Sequence, residues 1–100
     1  MAKKDTILAP MAADAGKTPA LSDIKSRPMG DLMRGDNRWD VLLETFKDEG
    51  AIVRGRIHFV CGSSHRLSGW IFVERSDKDV EERFGEFSAQ ELWNLLDSLA

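Results

Sequence analysis

Residues 55–75 read GRIHFVCGSSHRLSGWIFVER, and the fold turns on how this run pairs with itself. Over residues 51–60, Val53, Ile57 and Phe59 fall on one side of a period-two pattern, and Arg54, Arg56 and His58 on the other. Such alternation predicts a half-buried β-strand. Gly62, Ser63 and Ser64 supply a turn, and residues 66–75 form the returning strand. That second strand is apolar in both parities, with Leu67, Ile71 and Val73 against Trp70 and Phe72. Gly55 and Gly69 lie inside the strands, where glycine marks a bulge, a bend or a close approach.

Toward the N-terminus, Trp39, Leu42, Leu43 and Phe46 recur at i, i+3, i+4 and i+7. This spacing predicts a helix over 37–49, capped by Asp36 or Asn37 and closed by Gly50. Pro28–Arg34 reads as a short helical turn. Toward the C-terminus, Ser76-Asp-Lys-Asp79 is a turn and residues 80–87 (VEERFGEF) a third strand, with a helical turn ended by Gly85 as the alternative. Ser88-Ala-Gln-Glu91 is a capping box with Phe87 and Leu92 at the staple positions around it. Leu92, Leu95, Leu96 and Leu99 continue the stripe of a final helix. The expected architecture is α+β: a small antiparallel three-stranded meander flanked by two helices in the order α-β-β-β-α. One domain would span 28–100, preceded by a flexible arm over 1–27 whose Ala, Lys, Ser and Pro content shows no sustained period.

The whole chain of 100 residues is 42% hydrophobic and 31% charged, enough for one small core with a solvated exterior. Its net charge of -3 argues against a dedicated DNA-binding module, which carries a basic excess. The charge is unevenly spread. Residues 51–75 hold four arginines against Glu74 alone, whereas residues 76–100 hold seven acids against Lys78 and Arg83. The single cysteine forms no internal disulfide, which favours a reducing cytoplasm. No apolar run approaches the roughly 20 residues of a membrane span. Pro10 and Asp14 break up the apolar residues near the N-terminus, which makes a poor signal-peptide core. A cytoplasmic protein with no membrane partner is expected.

His58-x-x-Cys61-x-x-x-His65 is the nearest approach to a metal motif, but zinc takes about four ligands and only three candidates straddle the turn. Cys61 as a nucleophile needs a base aimed at its sulfur and an oxyanion site, and neither is legible. The reading is therefore no metal, no cofactor and no enzyme. The order α-β-β-β-α is also that of double-stranded-RNA-binding domains, which grip phosphate with lysines at the start of the last helix. Ser88-Ala-Gln-Glu91 offers an acid there and no lysine, so that family is set aside. Arg34-Gly35-Asp36 spells an adhesion tripeptide, which chance explains in a cytoplasmic chain.

Two surfaces are candidates for a partner. Antiparallel pairing would bring Arg54, Arg56 and His58 beside Trp70 and Phe72, residue types enriched at protein hot spots. Asp77, Asp79, Glu81 and Glu82 open an acidic stretch that runs to Glu91 and could imitate a phosphate backbone. Together they imply a non-catalytic interaction module, a regulator that docks on a larger protein or nucleoprotein complex, with monomer or homodimer left open. Small acidic proteins of this build are common among inhibitors encoded by phages and mobile elements, anti-CRISPR proteins included; that association rests on size and charge alone. The alternative is single-stranded nucleic-acid binding on the Arg/aromatic face.

Overall fold

The structure, a computed structural model, describes residues 23–99. Its elements run β1 (Lys25–Arg34), β2 (Asn37–Lys47), β3 (Val53–Cys61), β4 (Ser64–Leu67), β5 (Phe72–Glu74), α1 (Asp77–Gly85) and α2 (Ala89–Ser98). The class is α+β, built on one antiparallel sheet in the order β1-β2-β3-β4, with β5 also paired to β3. The expected hairpin is present: β3 returns through Gly62-Ser63 into β4, with Cys61 opposite Ser64 and Val60 opposite His65.

Three expectations are corrected. Residues 37–47 are a strand, not a helix. Their apolar stripe fits a helix, but it also divides by parity. Val41, Leu43 and Thr45 are buried on one face, and Leu42 and Phe46 sit half-covered on the other. Branched and aromatic side chains favour that extended form. Residues 25–34, expected as arm and helical turn, form β1; only residues 1–22 of the arm lie outside the described residues. Residues 77–85, expected as turn and third strand with a helical turn ended by Gly85 as the alternative, form the helix α1. Ser76 caps it by accepting from the Asp79 amide at 3.1 Å, and Val80 and Phe84 make its buried stripe. The observed order is thus five strands followed by two helices.

Both tight hairpin turns put a glycine first of two loop residues, Gly35 and Gly62, each at φ 60°. L side chains avoid that region, and the turns matching strand twist require it. In β1 an extra residue, Met29, enters between Pro28 and Gly30. This bulge switches parity, so that Lys25, Arg27 and Leu32 all lie on the helix side, opposite Thr45, Leu43 and Trp39.

The two helices cover this side only. Leu32, Val41, Leu43, Val53, Ile57 and Phe59 from the sheet meet Phe72, Val80, Phe84, Leu92 and Leu96 in one core. The capping box of α2 is complete, with Ser88 Oγ accepting from the Glu91 amide and Glu91 Oε1 from the Ser88 amide. Arg34 reaches across to α2, stacking 3.9 Å from the Trp93 ring centroid and pairing with Asp97 at 3.2 Å. Arg66 stacks 5.0 Å from the Trp39 ring centroid and donates to the Leu96 carbonyl at 3.4 Å.

Gly55 is where α1 comes closest to the sheet. A Cβ there would stand 2.8 Å from Val80 Cγ1 and 3.3 Å from Phe72. Gly55→Ala should therefore lower stability by about 1–3 kcal/mol through overpacking. Gly69→Ala, with no atom within 4 Å of the added Cβ, should change it by less than about 1 kcal/mol. Urea denaturation of the two variants side by side checks the contrast.

Candidate functional site

The sheet face away from the helices carries the even-numbered residues of β2 and β3. Register sets Leu42 opposite His58, Glu44 opposite Arg56 and Phe46 opposite Arg54. Glu44 is only 8% exposed. Its Oε1 accepts from Arg56 Nε and its Oε2 meets His58 Nδ1, both at 2.8 Å. An ionised carboxylate only accepts, so His58 donates from Nδ1. His58 Nε2 then lies 2.8 Å from His65 Nδ1 on β4, accepting from it when the His58 ring is neutral and donating to it when the ring is protonated. Arg56, Glu44, His58 and His65 thus form one continuous polar chain across three strands.

Arg56 has a second partner. Its guanidinium lies 4.4 Å from the Trp70 ring centroid, and Trp70 meets the Phe46 ring edge-on at 4.7 Å between centroids. Trp70 reaches this face because the edge strand is broken between β4 and β5. Buried Ser68 fills the break: its amide donates to the Ile57 carbonyl at 2.9 Å, and its hydroxyl accepts from the Ile57 amide at 2.9 Å while donating to the Gly69 carbonyl at 2.7 Å. The ladder on β3 stays satisfied while the chain changes direction. Phe72 then resumes pairing opposite Gly55 on the helix side.

Of the residues expected at the site, Arg54, Arg56, His58 and Trp70 are brought together on the open face. Phe72 is not: it is 5% exposed within the core, because Gly55 leaves the notch that its ring and Val80 fill. The acids are also elsewhere. Asp77, Asp79, Glu81 and Glu82 belong to α1, on the covered side. Two of them are paired with β1, Asp77 with Lys25 at 3.3 Å and Glu81 with Arg27. The two candidate surfaces, the arginine and Trp70 face and the acids of α1, thus lie on opposite layers of the fold.

The arginines are not free cations either. Arg54 donates to Asp48 at 3.0 Å, and Asp48 also accepts from the Gly50 and Ile52 amides to organise the β2–β3 loop. Burial presses the Asp48 carboxyl up, but the Ile52 amide, Arg54 and the Gly50 amide outweigh it and hold the acid below its ordinary value of 3.8. Glu44 behaves alike: burial presses it up, and hydrogen bonds from His58 and Arg56 bring it below 4.5. Sequence reasoning missed Glu44, Asp48 and Phe46. A lone glutamate inside VLLETF was the available signal, since an acid amid alternating apolar residues needs a cation on the neighbouring strand.

Cys61 pairs with Ser64 in the parity of Ile57 and Phe59, so it falls on the side opposite both histidines. Among the described residues no three acidic, histidine or cysteine side chains are placed to hold a metal ion, and no helix is long and apolar enough to cross a membrane. Around the polar chain, Leu42 and Val60 are half-buried, whereas Leu67 and Val73 are 43% and 50% exposed. The face is thus a charge-balanced network set in apolar surroundings, with no element over it among the described residues. Comparison with protein-family models, with curated proteins and with solved structures found no match to this chain.

The lowered Glu44 value fixes a sign. A carboxyl held below its unfolded value adds stability above that value and loses it as the pH falls through the folded one. Wild type should lose stability on acidification below about pH 4.5, as the acids holding the sheet face protonate. Glu44→Gln should start less stable at pH 7 by about 1–3 kcal/mol and show a shallower decline over the acid range. Urea midpoints between pH 7 and 2.5 for both proteins give the comparison.

Proposed function

We propose that this chain is a non-catalytic protein-interaction module that docks on a larger protein through its open sheet face. One observation carries the reading: five strands are covered by two helices on one side only. The other side presents Trp70, Phe46, Leu67 and Val73 around the Arg56–Glu44–His58–His65 chain. Apolar area of this kind on a small protein marks an interaction site, and a cluster of aromatic and arginine side chains is the make-up of a hot spot. The fixed polar chain would give a partner a preset pattern of donors and acceptors, which favours specificity.

The same geometry weighs against the single-stranded nucleic-acid alternative. Phe72 is unavailable for stacking, one Trp70 face is occupied by Arg56, and Arg54 and Arg56 are already paired with Asp48 and Glu44. Phosphate binding draws on unpaired cations that release counterions. A nucleic-acid-handling complex is the partner class that the acid-rich residues 76–100 would suit, through charge complementarity with its basic channel. A regulator or inhibitor of such a complex is the role we infer. A single cysteine without a disulfide partner fits a cytoplasmic setting.

Affinity capture from the native cell should recover a stoichiometric partner with wild type. Leu67→Lys, at an exposed edge position that costs the fold little, and Trp70→Ala should lose it while keeping a cooperative thermal transition. Equal recovery with all three proteins would overturn the docking face. Mixed single-stranded oligonucleotides at low salt should not bind; binding that weakens steeply with salt would replace this reading with the nucleic-acid one.

A further inference from the structure

A second surface, at the outer edge of β5, shares only Val73 with the open face. β5 pairs only with β3, so its far side has no strand against it among the described residues. Alternate backbone amides and carbonyls of a strand edge point outward, which makes such an edge a template for another strand. Long edges are usually blunted. β1, the other edge, carries Pro28, a bulge and a row of charges, the devices that discourage strand addition. At β5 none of the three residues is a proline or a lysine, and Ile71 and Val73 stand 48% and 50% exposed beside it.

Beside the edge lies a groove of about 520 Å³ lined by the apolar Ile71, Phe72, Val73 and Phe87 together with Glu74, Glu86, Glu91 and Arg83. Three carboxylates thus face one guanidinium. Arg83 is engaged with Glu74 at 3.1 Å and with Glu86 at 3.6 Å, and Glu91 uses Oε1 for the α2 cap. Each carboxylate has two oxygens and several acceptor sites, so Glu86 and Glu91 keep capacity for an incoming cation. The groove therefore sets carboxylates beside aliphatic side chains, with Glu74 on the helix side of the strand and Val73 on the other.

We propose that the β5 edge accepts an extended segment of a partner protein in which basic and aliphatic residues alternate. Added as a strand beside Phe72–Glu74, such a segment sends alternate side chains to opposite faces. Its lysines or arginines enter the carboxylate-rimmed groove, and its aliphatic side chains lie against Ile71 and Val73. Main-chain hydrogen bonds supply affinity, and the alternation supplies register and selectivity.

The test uses the full chain, isotope-labelled, titrated with the capped peptide Lys-Val-Lys-Val-Lys and followed by amide NMR shifts and hydrogen exchange. Shifts should concentrate at Ile71–Glu74 and Arg83–Glu91, and amides of β5 should gain protection. The isomer Lys-Lys-Lys-Val-Val and the reversed-charge Glu-Val-Glu-Val-Glu should bind at least about tenfold more weakly, the size expected for losing a few exposed ion pairs. Glu86→Gln combined with Glu91→Gln, which keeps a capping-box residue at position 91, should weaken the first peptide by about the same factor. No binding at millimolar peptide would overturn the proposal, as would equal binding of the isomer. So would shifts centred on Trp70 and His58, a result that would leave the open-face reading standing, whereas loss of peptide binding in Leu67→Lys alone would sink the edge site and not the open face.

Discussion

Everything in this fold is arranged around β3. It is paired along both sides, with β2 on one and β4 and β5 on the other, so none of its side chains can escape sideways into solvent. Of its odd positions, Val53, Gly55, Ile57 and Phe59 are buried beneath the helices and Cys61, at the turn, is half-buried. Its even positions include Arg54, Arg56 and His58, which must be satisfied on a face that no helix reaches. Two acids meet this demand, Asp48 for Arg54 and Glu44 for Arg56 and His58. Partly buried charges, most of all Glu44 with Arg56 and His58, are tolerable when paired and hydrogen-bonded; the acids on β2 and its loop are what allow a central strand this charged.

Arginine has a second recurrent task. Each of the three tryptophans has a guanidinium over its ring: Arg34 on Trp93, Arg56 on Trp70 and Arg66 on Trp39. Energetically significant pairs of this type occur about once per 70–80 residues, so three in one small domain are a feature of its construction. Arg34 over Trp93 ties α2 to the sheet, and Arg66, over Trp39 within the sheet, reaches α2 by its hydrogen bond to the Leu96 carbonyl. A long planar side chain can cover indole surface and keep its charge in water. The third lies on the open face, where Arg56 and Phe46 hold Trp70 between them. Preset side chains lower the entropy cost of docking, which links the stabilising scheme to the proposed role.

The division of the surface follows from the count of layers. Nine- and ten-residue helices can roof only one side of a five-stranded sheet. The uncovered side keeps apolar residues that ordinary surface strands would replace with polar ones, and the β5 edge stays open because the edge strand breaks at Ser68–Ile71. The two features meet at β5, where Val73 belongs to both.

Local pattern alone determined the β3–β4 hairpin, the capping box at Ser88–Glu91 and the separation of Arg54, Arg56 and His58 from the core, because each depends on residues close in the chain with a clean period or cap. It also placed Trp70 beside the arginines. The nature of residues 37–47 was not determined this way: the apolar positions fit a period of 3.6 as well as 2, and the Gly35-Asp36 pair, a hairpin signal, was the only local clue. Tertiary structure decided for the strand, since β3 required a partner on its second side and offered cations for Glu44. It also decided the fate of Phe72. Chain parity puts Phe72 with Trp70, but the break at Ser68 and the space left by the missing side chain of Gly55 draw its ring into the core, a choice governed by packing across more than 15 residues of separation and invisible to any local rule.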